Sequence, residues 1–224
     1  MRLSVIIPAL NEAPQIAAAI NSARAPEVEV IVVDGGSDDE TAARASAAGA
    51  EIVHAARGRA RQMNAGAARA GGDALLFLHA DTRLPSDFAA VVAGALADPG
   101  VVGGRFDVRL EPSSPLLALT AALINRRSRL TSIATGDQAL FVRRAVFEAM
   151  GGFVDEPLME DVAFTRDLKR RGRVAALRAQ VVTSSRRWLQ HGVLRTILLM
   201  WWLRFLYWCG AAPADLKRRY ADRR

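Results

Sequence analysis

An imidazole and a carboxylate stand two residues apart at His79 and Asp81, directly after the apolar run Ala74–Leu78. That pattern predicts a buried strand delivering both groups to its C-terminal edge, where open α/β sheets bind their ligands. Three further segments at expected strand or helix ends carry polar groups: Pro8-Ala-Leu-Asn-Glu12, Asp34-Gly-Gly-Ser-Asp-Asp39 and Glu160-Asp161. Carboxylates gathered at one sheet edge would hold a divalent metal against a diphosphate. Asp81 is the candidate ligand, because Mg²⁺ and Mn²⁺ take oxygen donors and keep positions for water and phosphate. His79 either joins it as a ligand to Mn²⁺ or is a structural histidine. Asp34 either accepts from a base or ribose, as acids at strand ends do in nucleotide-binding folds, or caps a helix. Glu160-Asp161 opens a helix, so it is either a general base or a pair of first-turn acids favouring the helix dipole. Arg57, Arg59 and Arg61 flank Gly58 ahead of a helix, which suits an anion as well as a solvated basic loop.

Other ways of holding phosphate are excluded. No two of the 17 glycines lie two positions apart, so a Gly-x-Gly-x-x-Gly loop is absent, and neither Lys169 nor Lys217 follows a glycine as a P-loop requires. The single cysteine, Cys209, excludes an internal disulfide and a cysteine-based zinc site, and fits a reducing, cytoplasmic setting.

The elements that must position these groups follow from the hydrophobic pattern. Strands at Leu3–Ile7, Glu29–Val33, Glu51–Val53 and Ala74–Leu78 alternate with helices at Gln15–Arg24, Ser37–Ala48, Arg59–Ala70 and Ser86–Ala97. Ser37 with Glu40 reads as a capping box and Ser86 as a cap. Such alternation predicts a mostly parallel sheet with helices on both faces. After Pro99 the pattern predicts a half-exposed strand over Gly103–Leu110, an apolar helix over Leu116–Ile124 and a basic loop at Arg126–Arg129. A strand at Gln138–Val142, helices at Arg144–Met150 and Val162–Gly172, and a strand at Arg173–Leu177 follow. With 224 residues, 51% of them hydrophobic, the chain reads as one folded domain over 1–185, in two halves divided near residue 99, with a tail from 186 to 224.

The tail holds the whole net charge of +7. Its nine basic and two acidic side chains contrast with an even balance over 1–185, which argues against a nucleic-acid partner. Its arginines adjoin Trp201, Trp202, Phe205, Tyr207 and Trp208, a composition suited to an anionic membrane surface. The longest apolar segment, Val193–Ala212, is interrupted by Arg195 and Arg204. A central arginine costs about 2.5–3.5 kcal/mol on insertion, so the segment is expected to lie in the interface rather than span it. A homodimer interface built from Trp201, Trp202 and Phe205 is the alternative. Met1–Pro8 is too short for a secretory signal, and Asn11-Glu12 ends it. The expected location is cytoplasmic, peripheral on the inner face of the membrane.

The ordered set Ser4–Glu12, Val32–Thr41, Gly58–Gly66, Phe77-Leu-His-Ala-Asp-Thr82, Gly136-Asp-Gln138 and Glu160-Asp161 resembles the family-2 inverting glycosyltransferases of the GT-A fold, over residues 3 to about 190. The His-Ala-Asp-Thr form and Ser185-Arg-Arg-Trp188 resemble a small bacterial subgroup labelled arsenosugar- or carotenoid-type glycosyltransferases. The resemblance implies a nucleotide-sugar half over 1–99 and an acceptor half over 100–185. It implies a nucleoside-diphosphate sugar as donor and a hydroxyl acceptor, such as a lipid or small apolar molecule. Pro8, Ala9, Glu12 and Gly35 would line the nucleotide, and Asp34 would contact its base. Gly58, Arg61 and Asn64 would close on the donor, with Ala80 beside it. Asp81 would bind Mg²⁺ or Mn²⁺ with pyrophosphate, with His79 and His191 as further candidate ligands. Asp161 would deprotonate the acceptor, supported by Glu160, while Gly136, Asp137, Gln138, Arg187 and Trp188 would face the sugars.

Two departures matter. Family members commonly carry Asp where His79 stands. Processive members carry Gln-x-x-Arg-Trp, whereas Ser184 lies three before Arg187 here, which points to single transfer. A sugar-nucleotide nucleotidyltransferase would need a Gly-rich loop with Lys where Ala9–Pro14 stands. A catalytically silent sugar-nucleotide-binding scaffold is the reading from another class.

Overall fold

The computed structural model describes residues 1–221, apart from the side chains of Arg187, His191 and Ala221. Strands β1 (Leu3–Ala9), β2 (Val28–Asp34), β3 (Glu51–His54) and β4 (Ala74–Phe77) run parallel in the order β3-β2-β1-β4. Successive side chains of a strand point to opposite faces, and both faces are covered. Leu3, Val5 and Ile7 pack with Ile16 and Ile20 of α1 (Ile16–Ser22), Ala45 of α2 (Thr41–Ala47) and Phe88 of α4 (Phe88–Leu96). Ile6 packs the other way, with Ala60 and Met63 of α3 (Arg59–Arg69). Strands buried on both faces explain the continuous Val, Ile and Leu runs.

The second half extends the same sheet. It adds β6 (Val101–Glu111), α5 (Pro115–Thr131), a 3₁₀ turn at Gly136–Gln138, β7 (Leu140–Arg143), α6 (Arg144–Met150), α7 (Glu160–Arg171) and β8 (Arg173–Ser184), which pairs with the short β5 (Thr82–Arg83) of the first half. The eight strands follow the order β3-β2-β1-β4-β7-β6-β8-β5, with β7 and β5 reversed. The sheet is therefore mostly parallel and flanked by helices, as expected.

Several boundaries differ from the sequence reading. Ser37 is not a helix cap: its hydroxyl donates to Asp34 Oδ1 at 2.5 Å and accepts from Asn11 N at 3.0 Å, and α2 begins only at Thr41. Ser86 does not cap α4, which starts at Phe88 after Asp87. The expected basic loop at Arg126–Arg129 is helical, because tertiary contacts hold the last turns of α5 against β6. Asn125 there exchanges two hydrogen bonds with the Val108 backbone, at 2.8 and 3.0 Å, and Arg129 reaches Asp107 at 2.6 Å. Gln138 belongs to the 3₁₀ turn and not to β7. Pairing with β6 carries β8 on to Ser184, well past Leu177.

The tail forms α8 (Arg186–His191), α9 (Val193–Trp208) and α10 (Pro213–Ala221). It folds back on the domain: Leu203 and Leu216 bury Met159 together with Leu158, Val162 and Tyr207. No described helix is long and apolar enough to cross a membrane. The outer face of α9 is open, with Leu194, Leu198, Trp201, Phe205 and Trp208 exposed at spacings of three and four.

One buried side chain joins the layers at the sheet edge. Gln62 of α3 donates from Nε2 to Ala9 O and Val33 O, both at 2.8 Å. A Gln62→Leu variant takes one donor from each carbonyl, though Ala9 O keeps that of Gly35, a loss of about 0.5–1.5 kcal/mol per bond. Thermal denaturation should show melting several degrees lower; an unchanged midpoint would mean the bridge adds nothing.

Candidate active site

A cavity of about 540 Å³ opens between the end of β4, the start of α7, α5 and α9. His79, Asp81, Gly136, Asp137, Glu160 and Asp161 share its wall, with Trp188 on the tail side. Six residues from three distant segments named for chemistry thus meet in one place. A smaller crevice beside it is bounded by Pro8, Met63 and Phe153, and shares Arg59, His79, Gly136, Glu160 and Asp161 with the larger space.

The half-buried Asp161 carboxylate is held by two backbone donors. Gly136 N–H reaches Oδ2 at 2.8 Å, and Val162 N–H reaches Oδ1 at 2.7 Å. The chain enters α7 through Met159 at φ 69°, a left-handed conformation uncommon for a residue with a Cβ. Burial of Met159 against the tail holds it there. Gly136 leaves room for the imidazole, since a Cβ there would collide with His79 Nε2 and displace it.

Glu160 is 2% exposed and pairs through Oε1 with Arg59 Nη1 at 2.9 Å. Burial pushes its carboxyl above the usual range; Arg59 opposes the rise, and the charge of Asp161 adds to it. Burial likewise raises Asp137, against the pull of Arg204 and Arg127. Gln138 faces away from the cavity. Its amide donates to Ser128 Oγ at 3.0 Å and Phe106 O at 3.3 Å, so it anchors the 3₁₀ turn instead of meeting a sugar.

His79 and Asp81 sit on a tight turn just past β4, closed by Thr82 N–H donating to His79 O at 3.0 Å. Both still face the cavity. Among the described residues no three His, Cys, Asp or Glu side chains come close enough to hold a metal by themselves. An ion here would take one or two protein donors and complete its shell from phosphate and water, which suits Mg²⁺ or Mn²⁺. The His191 and Arg187 side chains lie outside the described residues.

The other expected donor-side residues do not line the large cavity. Asp34 is buried and turned into its own loop, accepting from Gly36 N and Ser37 N at 3.1 Å, with His54 Nδ1 at 3.6 Å. Ala9 is buried, and its carbonyl accepts from Gly35 N as well as Gln62. Glu12 ion-pairs with Arg186 at 3.3 Å, tying the tail to the β1 loop. Asn64 pairs with the backbone of Phe153 at 2.8 and 2.9 Å, so its amide fixes a loop rather than standing ready for a donor. Gly58 takes φ 144° ahead of α3, and Ala80 is buried in the turn. Arg61 pairs with Asp155 at 2.8 Å; the cavity arginine of that cluster is Arg59, two residues earlier. Sequence reasoning also passed over Arg127 and Arg204 as site residues. The one available signal was the cost of Arg204 in an apolar run, which demands a polar setting.

The Arg59–Glu160 pair makes a pH-dependent prediction. A carboxyl whose folded pKa exceeds its ordinary 4.5 binds protons more readily in the native state, so stability falls as pH rises through that window. Removing Arg59 removes the main restraint on the rise. Arg59→Met should therefore be most destabilised near pH 8, and its deficit against wild type should shrink toward about pH 5. Adding Glu160→Gln should restore much of the loss at high pH. Denaturant titrations showing a pH-independent deficit would refute the coupling.

Residues 4–149 match the sequence profile described as Glycosyl transferase family 2. No curated protein matches the chain by sequence. Among solved structures, S. aureus TarS 1-349 superimposes with a TM-score of 0.66 at 19% identity, covering 83% of this chain and 61% of its own. The mannosyltransferase PcManGT from Pyrobaculum calidifontis, in complex with GDP-Man and Mn²⁺, gives 0.64 at 24% identity, with coverages of 81% and 56%. Glucosyl-3-phosphoglycerate synthase from Mycobacterium tuberculosis, with Mn²⁺, UDP and glucosyl-3-phosphoglycerate, gives 0.59 at 22%, with 82% and 70%. This chain spans less than two thirds of the length of the first two. The profile match covers well over half of the chain, so it belongs to glycosyl transferase family 2, and its fold is that of the GT-A proteins.

Proposed function

We propose that this protein transfers a single sugar, with inversion, from a nucleoside-diphosphate sugar to a hydroxyl acceptor in a metal-dependent reaction. The observation that carries the reading is the Asp161 carboxylate, oriented by Gly136 and Val162 amides in the cavity that also holds Asp81. Asp161 takes the acceptor proton as the hydroxyl oxygen attacks the anomeric carbon. The bond to the diphosphate breaks on the opposite face, and its electron pair leaves with the phosphate oxygen. Glu160 and Arg59 keep the start of α7 in place. A divalent ion held by Asp81, with His79 as a further donor, would supply positive charge to the departing diphosphate. Neighbours of this fold solved with GDP-Man or UDP and Mn²⁺ support a metal-assisted nucleotide-sugar site. Pro8 and the β1 and β2 loops form the nucleotide side in this reading, within 1–99, and 100–185 the acceptor side. The His79–Thr82 sequence is our reason for proposing kinship with the small bacterial subgroup.

The reading is tested by incubating UDP-, GDP- and dTDP-sugars with Mn²⁺ or Mg²⁺ and measuring nucleoside diphosphate release. One donor should be hydrolysed, with loss on chelation and in Asp81→Asn. Asp161→Asn should lower transfer by about 10²–10⁴-fold while nucleotide binding persists. Near-normal transfer by that variant would rule out the base. Absence of both turnover and metal-dependent nucleotide binding would favour the silent scaffold.

We also propose that the tail docks the enzyme on the cytoplasmic face of an anionic membrane, near a lipid or apolar acceptor. Exposed Leu119, Leu123 and Leu130 of α5 join the open face of α9 in this surface, and the net charge of the chain resides in the tail. The full-length protein should float with anionic vesicles, and Trp202→Glu with Trp208→Glu should release it. A dimer that the same substitutions split, without vesicle binding, would assign the face to self-association.

A further inference from the structure

Three arginines line the cavity without a part in the transfer step; Arg126 is exposed, whereas the other two carry buried guanidinium atoms. Arg127 comes from α5 and Arg204 from α9. Arg127 Nε and Nη2 and Arg204 Nε are shielded from solvent and have no hydrogen-bond partner among the described residues. Their surroundings are largely apolar, including Leu123, Ile124, Ile197, Met200 and Trp201. Buried polar atoms are normally satisfied, and an exception calls for a missing partner. Burial, and then the positive charge of Arg204, pull the Arg127 guanidinium down to about 10.

Nothing in the described chain completes this pair. Asp137 lies in the same field, but its Oδ1 is itself buried without a partner. Both Asp161 oxygens already accept backbone amides. Neither arginine lines the crevice beside Pro8, where the nucleotide loops meet the site. The pair therefore sits with Asp137 and Asp161, on the acceptor side. Guanidinium forks match the oxygens of carboxylate or phosphate.

We propose that Arg127 and Arg204 form an anion cradle for the acceptor, which is an amphiphile carrying a phosphate or carboxylate near its reactive hydroxyl. The apolar part of that molecule lies along Leu123, Ile124, Ile197, Met200 and Trp201. The hydroxyl's role rests on the transfer reading above; the cradle itself does not.

Trp188 and Trp201 line the cavity, so intrinsic fluorescence of the full-length protein reports occupancy. The probes are dodecyl phosphate, dodecanoate, 1-dodecanol and inorganic phosphate, each below its micellar concentration where one exists. The two anionic amphiphiles should bind about tenfold or more tightly than 1-dodecanol. Arg127→Gln and Arg204→Gln should erase that preference, and Arg204→Lys should keep part of it. Binding of UDP or GDP with Mn²⁺ should stay as in wild type. Equal affinity for 1-dodecanol would overturn the cradle. Inorganic phosphate binding as tightly as dodecyl phosphate would overturn the amphiphile. Loss of nucleotide binding in the glutamine variants, with the amphiphile preference intact, would assign the pair to the leaving diphosphate and overturn the proposal. Donor hydrolysis by water, measured separately, tests the transfer reading alone: its absence together with a retained anion preference would defeat that reading and leave the cradle standing.

Discussion

The grip of two backbone amides on Asp161 is the constraint around which the site is built. One amide belongs to the helix that carries the aspartate, and the other to the 3₁₀ turn 25 residues earlier. Joining them demands that the turn approach the start of α7 closely, and much of the local sequence answers that demand. Gly136 leaves room for His79 where any side chain would collide. Gln138 pins the turn to Phe106 and Ser128, hence to β6 and α5. Met159 adopts its left-handed backbone under cover of Leu203 and Leu216. The carboxylate position is thus a consequence of packing across the sheet, a helix and the tail, with no single loop responsible.

Charge is the second constraint. A cavity with a largely apolar wall carries Arg59, Arg127 and Arg204 against Asp81, Asp137, Glu160 and Asp161. Only some of these are paired within the chain. Arg59 and Glu160 satisfy each other, whereas buried atoms of Asp137, Arg127 and Arg204 find no hydrogen-bond partner among the described residues. Burying charge without a partner opposes folding, so an arrangement of this kind makes sense where ligands bring the missing countercharge. Anionic and cationic groups concentrated in one space suit a reaction whose substrates carry charge and whose leaving group gains it.

The sequence made the parallel half legible because its central strands are buried and run almost unbroken in apolar residues, Ser4 and Glu29 apart. Alternation with helices then followed from the spacing of the runs. The meeting of His79, Asp81, Glu160 and Asp161 in one cavity was legible for a related reason: polar residues directly after apolar strands or at helix starts are forced to one edge of the sheet. What was not legible depended on tertiary partners. Ser37 looked like a cap, but the carboxylate three residues before it took its hydroxyl. Arg126–Arg129 looked like a loop, yet Asn125 and Arg129 found partners on β6 and kept the helix going. Arg61 and Arg59 are indistinguishable by spacing alone. Only the three-dimensional position of Asp155 and Glu160 decides which arginine enters the cavity.

The tail shows how one helix can answer two opposing readings of its sequence. Apolar residues occupy α9 on all sides, which by composition alone suggests either a membrane or a buried core. The structure divides them: Leu203 packs inward on Met159, while Leu194, Leu198, Phe205 and Trp208 remain outside. Arg204 stands beside the outer stripe, with Ile197 and Met200 on the side of α9 that lines the cavity. It enters the cavity, and its presence there is why the segment is interrupted where it is. Glu12 with Arg186 ties the start of the tail to the β1 loop, and the Met159 cluster ties its middle to α7. The tail consequently bridges the edges of both halves of the domain, and α9 packs against the segment that positions Asp161.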